Sequence, residues 1–198
     1  MAENLKQHGY TPIVLDVRGF NMKSDAHNIA AQVDKTHSLH PHTPIHVVTH
    51  SIGAISARYF LKFLGGSDFV KSYISIGAPQ YGSPGACGEI VGGEVCTGTD
   101  FMKKLNKGDD TPGQTKYYSI RSSHEWTDGR LDGGQCRMTP FKTAGNGGLD
   151  HSLEPFNKKV WKQVRQALNG HCIGKYVDEP DGSIHTQDTL FPDGVPFT

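Results

Sequence analysis

Apolar runs that are typical of buried strands alternate along the chain with segments in which apolar residues recur every three or four positions. The predicted strands are residues 12–17, 45–48, 70–76 and 116–120, and the predicted helices are residues 2–8, 24–38, 52–64, 100–106 and 155–168. Strands that alternate with helices form mainly parallel sheets that are covered by helices on both faces. The pattern therefore predicts an α/β fold.

The length and charge of the chain restrict its class. A chain of 198 residues fits one domain, which we place at residues 1–170, with a polar, periodless extension at 171–198 that packs on the domain or trails from it. Twenty basic residues balance 20 acidic residues, so the charge gives no reason to expect a nucleic-acid partner. No apolar run approaches the roughly 18 residues of a transmembrane helix, and we expect no integral membrane association.

The four cysteines lie in glycine-rich or polar segments rather than in apolar runs. An even number in such positions favours disulfides and an oxidising, extracytoplasmic compartment. Zinc binding is the competing interpretation, but no C-x2-C pair occurs in the sequence. Of the three connectivities that four cysteines allow, we expect Cys87–Cys96 and Cys136–Cys172, because neither link has to cross the core.

Ser51 lies where an apolar strand-type run passes directly into a helix-type run. A sharp strand-to-helix turn presents a serine hydroxyl above the sheet, and the small neighbour Gly53 relieves crowding in the turn. This pattern is typical of acyl transfer through a serine nucleophile. The usual motif has glycine two residues before the serine, where this chain has Thr49. The alternative is that Ser51 only caps the following helix.

A serine nucleophile requires a base and an acid that orients the base. His151 is the candidate base, because it lies in a glycine-rich stretch just before the last predicted helix. His50 is next to the serine, but its side chain leaves the turn in another direction, so we expect a structural role for it. The acid should follow the strand 116–120, where the candidates are Glu125, Asp128 and Asp132.

Several of these segments together resemble the class 2 lipases of bacteria, a secreted triacylglycerol lipase group of the α/β-hydrolase superfamily. Thr49-His50-Ser51-Ile52-Gly53 is similar to the Ala-His-Ser-Met-Gly turn of that family, which also lacks the first glycine. Residues 98–113 resemble its short helix and Gly-Asp-Glu-Thr-Pro-Gly turn, and Asp150-His151 resembles the segment with its catalytic histidine. The resemblance covers residues 2–170 and implies that Glu125 stands where most members have aspartate, with Asp128 as the alternative acid.

The resemblance also defines what the N-terminal part of the sequence lacks. Family members begin with a strand and a His-Gly loop that helps to form the oxyanion hole, and this strand lies between those expected here at 12–17 and 45–48. We therefore expect the N-terminal strand and oxyanion loop to be missing: the sequence starts inside a longer protein, the fold has adapted, or a second chain fills the gap in a dimer. The N–H of Ile52 is the expected oxyanion donor within the chain.

Together these patterns predict a carboxylic ester hydrolase without a cofactor, and the resemblance implies that it is secreted and acts on triacylglycerols or other lipid esters. One alternative is a weak or inactive hydrolase-fold binding protein that lacks half of the oxyanion hole, and another is an esterase for soluble or polymeric esters. Asp128, Asp132 and Asp181 are candidate calcium ligands, but no EF-hand spacing is present, and we predict no metal site.

Overall fold

Five strands form one sheet in the order β1-β2-β3-β4-β5. The computed structural model describes residues 1–142 and 147–192. Strands β1 to β4 run parallel to one another, and β5 is antiparallel to β4. The strands are β1 (Ile45–His50), β2 (Val70–Ile76), β3 (Lys116–Ile120), β4 (Gln135–Met138) and β5 (Gly174–Val177). The predicted mainly parallel α/β fold is thus confirmed.

Helices cover both faces of this sheet, as predicted. They are α1 (Ala2–Gln7), α2 (Met22–Leu39), α3 (Gly53–Phe63), α4 (Asp100–Leu105), α5 (Gly147–Leu153) and α6 (Lys158–Leu168). Leu5 of α1 and Val160 and Val164 of α6 belong to the core on one face. Ile29 of α2 and Phe60 of α3 belong to the core on the other face. None of the described helices has the length and apolar character needed to cross a membrane.

The start of the last helix differs from the prediction because the chain makes a separate turn first. A 3-10 turn, Glu154–Phe156, contains the proline that was expected in the first turn of the helix. Helix α6 then begins after Asn157, whose side chain accepts a hydrogen bond from the N–H of Lys159 at 2.8 Å. This N-cap defines a new helix start, and the extra turn places Glu154 inside the protein.

The prediction of a buried strand at residues 12–17 is wrong. The segment forms no described strand, and its apolar side chains are largely exposed, with Val14 at 79%. Strand formation requires a hydrogen-bonding neighbour, and the edge strand β1 pairs with β2 alone among the described residues. Apolar character was therefore insufficient to make residues 12–17 a strand.

Strands β4 and β5 were not predicted from the sequence. Both are four residues long, and β5 lies in the segment 171–198, which was expected to be periodless. Hydrogen bonds to β4 and a disulfide between Cys136 and Cys172 attach this segment to the sheet. A second disulfide joins Cys87 to Cys96 in the glycine-rich segment after β2. Both links have the expected pairing.

Candidate active site

Ser51 occupies a sharp turn between β1 and α3. Its φ angle is +56°, which is unusual for a residue other than glycine. Its N–H donates a hydrogen bond to the carbonyl oxygen of Ile76, at the end of β2, with a distance of 2.9 Å. The turn therefore lies at the carboxyl end of two parallel strands, where open α/β sheets bind their ligands. A strained turn that presents a serine at this edge fits the geometry of a nucleophile elbow.

Three side chains from distant parts of the sequence form a hydrogen-bonded row. His151 Nε2 lies 2.8 Å from Ser51 Oγ, and His151 Nδ1 lies 2.8 Å from Glu125 Oε1. His151 comes from α5, and Glu125 follows β3. With a proton on Nδ1, the imidazole donates to the carboxylate and leaves Nε2 to accept the serine proton. The structure thus brings the three predicted candidates together.

The other two candidate acids make contacts away from this row. Asp128 Oδ2 lies 3.0 Å from Arg137 Nη2 and 3.3 Å from Arg130 Nε, and burial raises the pKa of Asp128 despite these arginines. The Asp132 Oδ2 atom accepts from the N–H of Gly182, and burial together with the Asp110 carboxyl raises the pKa of Asp132 to about 6. Glu125 is the candidate that reaches His151.

A second carboxyl group, Glu154, lies beside Glu125 and was not singled out in the sequence. Its side chain is buried, with 1% of the residue exposed, and its Oε1 accepts from the N–H of Ser122 at 2.9 Å. Burial, followed by the nearby Glu125 carboxylate, raises the pKa of Glu154 to about 9. An acid in the first turn before a helix is ordinarily explained by the helix dipole, so the sequence carries no signal for this contact.

The glycine at the end of β2 makes room for these groups. A Cβ atom on Gly77 would lie 2.2 Å from Glu154 Oε2 and 2.9 Å from both Glu125 Oε1 and His151 Nδ1. The φ of Gly77 is also positive, at +53°, a conformation that glycine adopts without steric cost. The site is therefore assembled around a position where no side chain fits.

His50 supports the helix that contains His151. Its Nε2 lies 2.8 Å from the backbone oxygen of His151, and the two rings lie 4.7 Å apart. Desolvation, followed by the charge that His151 can carry, lowers the pKa of His50. The 3.8 Å approach of His50 Nε2 to Glu154 Oε2 is therefore a contact between neutral groups rather than an ion pair. This geometry agrees with the structural role expected for His50.

The backbone after Ser51 offers a donor for a developing oxyanion. The N–H of Ile52 donates no hydrogen bond within the described part of the chain. It directly follows the candidate nucleophile, which is the position of an oxyanion donor in this type of turn. The expected donor is thus available for a ligand.

Several large apolar side chains that lie close in sequence to Glu125 and His151, or in contact with the same glycine as Ile52, are exposed. Trp126 follows Glu125, Leu153 and Phe156 follow His151, and Val91 lies against the same glycine position as Ile52. Of these, Phe156 is 71% exposed, and Ile90 beside Val91 is 82% exposed.

Potential metal ligands also meet at this site. His50, His151 and Glu154 each offer a ligand atom, and these atoms lie within 4.8 Å of one another. Both ring nitrogens of His151 and the Nε2 of His50, however, already contact protein atoms. A bound ion would have to break the row, so these residues do not fit a metal centre. Asp181, a candidate calcium ligand, is exposed.

The sheet order and the turn at Ser51 define an α/β-hydrolase fold, and solved structures support that class. The lipase BlEst2 of Bacillus licheniformis in its propeptide form is 17% identical with a TM-score of 0.64, and the match covers 90% of this chain and 47% of that one. The mature form is 20% identical with a TM-score of 0.53, and the coverage is 90% and 68%. The chain thus spans about half the length of the propeptide form.

The family follows from the sequence itself. Residues 2–108, more than half of the chain, match the lecithin:cholesterol acyltransferase family, and the chain belongs to that family. Among curated proteins, no sequence matches the chain significantly. The family match and the structural likeness agree on the α/β-hydrolase fold.

Proposed function

We propose that the protein is a serine hydrolase of carboxylic esters that acts through an acyl-enzyme. The observation that carries this proposal is the row in which Ser51 Oγ, His151 and Glu125 are joined by two contacts of 2.8 Å. A nucleophile, a base and an orienting acid in this geometry support catalysis through a covalent acyl-enzyme. The lipase-like fold and the acyltransferase family support it.

The reaction begins when Ser51 Oγ attacks the ester carbonyl and its proton moves to His151 Nε2. The carbonyl oxygen becomes an oxyanion, which the N–H of Ile52 stabilises. Collapse of this intermediate breaks the ester bond, and His151 returns the proton to the departing alcohol. Water then attacks the acyl-enzyme by the reverse sequence, and Glu125 stabilises the imidazolium in both halves.

The substrate class we favour is acylglycerols or other lipid esters. Support comes from exposed apolar residues that lie close in sequence to Glu125 and His151, namely Trp126, Leu153 and Phe156. A soluble ester would gain little from contact with these side chains, whereas an acyl chain would bury them. The two disulfides support an extracytoplasmic location, and the likeness to secreted class 2 lipases stays a prediction.

The experiment compares wild type with Ser51→Ala on water-soluble p-nitrophenyl butyrate and on emulsified triolein. We expect wild type to hydrolyse both esters and to bind a fluorophosphonate covalently at Ser51, and we expect the variant to do neither. Hydrolysis of the soluble ester alone would identify the protein as an esterase of soluble or polymeric substrates. A wild-type protein that neither turns over nor becomes labelled would instead be an inactive hydrolase-fold binding protein.

A second candidate function is acyl transfer to an alcohol. The match to the lecithin:cholesterol acyltransferase family favours it, because an acyl-enzyme can be attacked by an alcohol in place of water. Incubation of the protein with a labelled phosphatidylcholine and a sterol separates the two outcomes. A labelled sterol ester indicates transfer, and labelled free fatty acid alone indicates hydrolysis.

A further inference from the structure

Glu154 is a buried carboxyl group with contacts that direct it toward the acid of the row. Its Oε1 accepts from the N–H of Ser122, which follows β3 three residues before Glu125. Its other oxygen, Oε2, lies 2.2 Å from the place where a Cβ on Gly77 would lie, and Glu125 Oε1 lies 2.9 Å from the same place. Glu154 therefore contacts the start of the loop that contains Glu125 and lies beside the carboxylate of Glu125 itself.

One oxygen of this carboxyl pair lies in surroundings that favour a proton. Glu154 Oε2 is buried, and no donor in the described part of the chain reaches it. An ionised oxygen without a donor in such a position would be very costly. Protonation turns it into a donor, and the carboxylate of Glu125, which already accepts from His151, converges on the same position beside Gly77.

The packing around Gly77 shows how tightly these atoms are held. Glu154 Oε2, Glu125 Oε1 and His151 Nδ1 all converge on the place where a side chain of Gly77 would begin. The groups that face Glu154 are Glu125 and Asp150, both acidic, together with His50 and His151. Since two of these neighbours are carboxyl groups, a further negative charge, on Glu154, is disfavoured.

We propose that Glu154 is a positioning residue, whose protonated carboxyl donates a hydrogen bond to Glu125 and thereby fixes the carboxylate that orients His151. Glutamate has one more rotatable bond than the aspartate usual in such triads, so its carboxylate needs an additional contact to hold one orientation. Glu154 supplies that contact. This proposal rests on the proposed triad.

The test compares two substitutions at this position. Glu154→Gln keeps an oxygen that can accept from Ser122 and gains an amide that can donate to Glu125, whereas Glu154→Leu removes both contacts. We expect Glu154→Gln to keep kcat within about threefold at pH 7. Glu154→Leu should lower kcat by about 10- to 100-fold with little change in KM, the effect of losing a hydrogen bond to a charged group.

The pH profile distinguishes positioning from simple structural support. In wild type, Glu154 loses its proton as pH rises through about 9, and Glu125 then loses its donor and faces a second negative charge. We expect kcat to fall above this pH in wild type and to lack that transition in Glu154→Gln, which cannot ionise. Glu94→Gln is the matched control, because Glu94 Oε2 likewise accepts from a backbone N–H, that of Met22 at 2.7 Å, outside the row.

Stability provides a readout that needs no catalysis. The folded pKa of Glu154 lies above its unfolded value near 4.5, so unfolding releases a proton between these two pH values and the free energy of unfolding falls as pH rises. The thermal midpoint of wild type should therefore decline more steeply from about pH 5 to 9 than that of Glu154→Gln.

These readouts separate failure of this proposal from failure of the proposed function. If wild type lacks esterase activity but shows the steeper pH dependence of stability, the proposed triad is wrong and the proposed carboxyl pair is supported. Equal pH dependence of stability in wild type, Glu154→Gln and Glu94→Gln would contradict the proposal that Glu154 is protonated beside Glu125. An alkaline fall in kcat that persists in Glu154→Gln would overturn the positioning role, even if Glu154→Leu does not fold.

Discussion

The N–H of Ser51 donates to the carbonyl oxygen of Ile76 at 2.9 Å, which ties the end of β1 to the end of β2. This hydrogen bond holds the turn in which Ser51 adopts a positive φ. A residue with a Cβ pays about 1 to 2 kcal/mol for that conformation. Strain at this point is maintained by the parallel sheet on which the turn is built.

The strain can be measured by comparing Ser51→Gly with Ser51→Ala. Both variants lose the contact with His151, so the difference between them reports on the backbone. We expect the glycine variant to equal the alanine variant or to exceed it by up to about 1 kcal/mol in free energy of unfolding, because glycine adopts positive φ freely. Chemical denaturation provides the measurement. An alanine variant that is more stable by about 0.5 to 1 kcal/mol, as at an ordinary position, would contradict strain at this turn.

The contacts of His151 predict that it and Ser51 act as a unit. Ser51→Ala and His151→Ala should each remove nearly all esterase activity while the fold stays intact, and the double variant should be little worse than either single one. Steady-state kinetics and circular dichroism of the three variants test this expectation. Losses that multiply in the double variant would argue that the two side chains contribute separately.

The identity of the acid can be tested at two positions. Glu125→Gln should lower kcat by on the order of 10³ to 10⁴, because an amide cannot stabilise the imidazolium. Asp128→Asn should change kcat by about threefold or less and should instead lower stability, since it weakens ion pairs with Arg130 and Arg137. Kinetics and thermal midpoints of both variants decide between them, and the reverse ranking of kcat would assign the role to Asp128.

Substitution of Gly77 should affect activity, whereas the same substitution at Gly65 should not. Gly77→Ala should destabilise the protein and abolish activity, because the added methyl group would displace Glu125, His151 and Glu154. Gly65→Ala is the control: φ there is +74°, yet no atom lies within 4 Å of an added Cβ. We expect Gly65→Ala to lose about 1 kcal/mol of stability and to keep kcat. Activity retained in Gly77→Ala would show that the site tolerates expansion.

The two disulfides should contribute unequally to stability. Cys136–Cys172 closes a separation of 36 residues and Cys87–Cys96 one of 9, and the chain-entropy relation gives about 4 and 2.5 kcal/mol respectively. Replacing each pair by alanine and measuring urea unfolding tests the order. A larger loss from the shorter link would indicate that strain or contacts in the folded state, rather than loop length, determine the effect.

Local sequence patterns predicted the elements that form the central part of the sheet. The strand 70–76 and the helix after Ser51 have apolar positions that belong to two well-packed cores. The periodicity of these positions was therefore sufficient to predict both elements. The segment 12–17 has the same apolar character without a strand beside it. Its exposure depends on the neighbouring structure, which a local pattern does not contain.

The same limit applies to the candidate site. Ser51 and His151 were predicted because the sequence shows a strand-to-helix turn and a glycine-rich stretch before the last helix, although the structure places His151 in helix α5 rather than in a loop. Glu154 was missed because Leu153-Glu154-Pro155 has the composition of an ordinary first helical turn. Its position beside Glu125 depends on the 3-10 turn that precedes α6, and on the absence of a side chain at Gly77.

The antiparallel strand β5 also determines how the protein will respond to a reductant. Its exposed residues, including Lys175 and Tyr176, cover the edge of β4, and a lysine on an outer strand discourages pairing with another chain. Once Cys136–Cys172 is cleaved, we expect β5 to dissociate more easily from β4. The backbone hydrogen-bonding groups of β4 and the apolar Met138 would then be exposed. Reduction should therefore favour aggregation through exposed sheet edges before the central strands unfold.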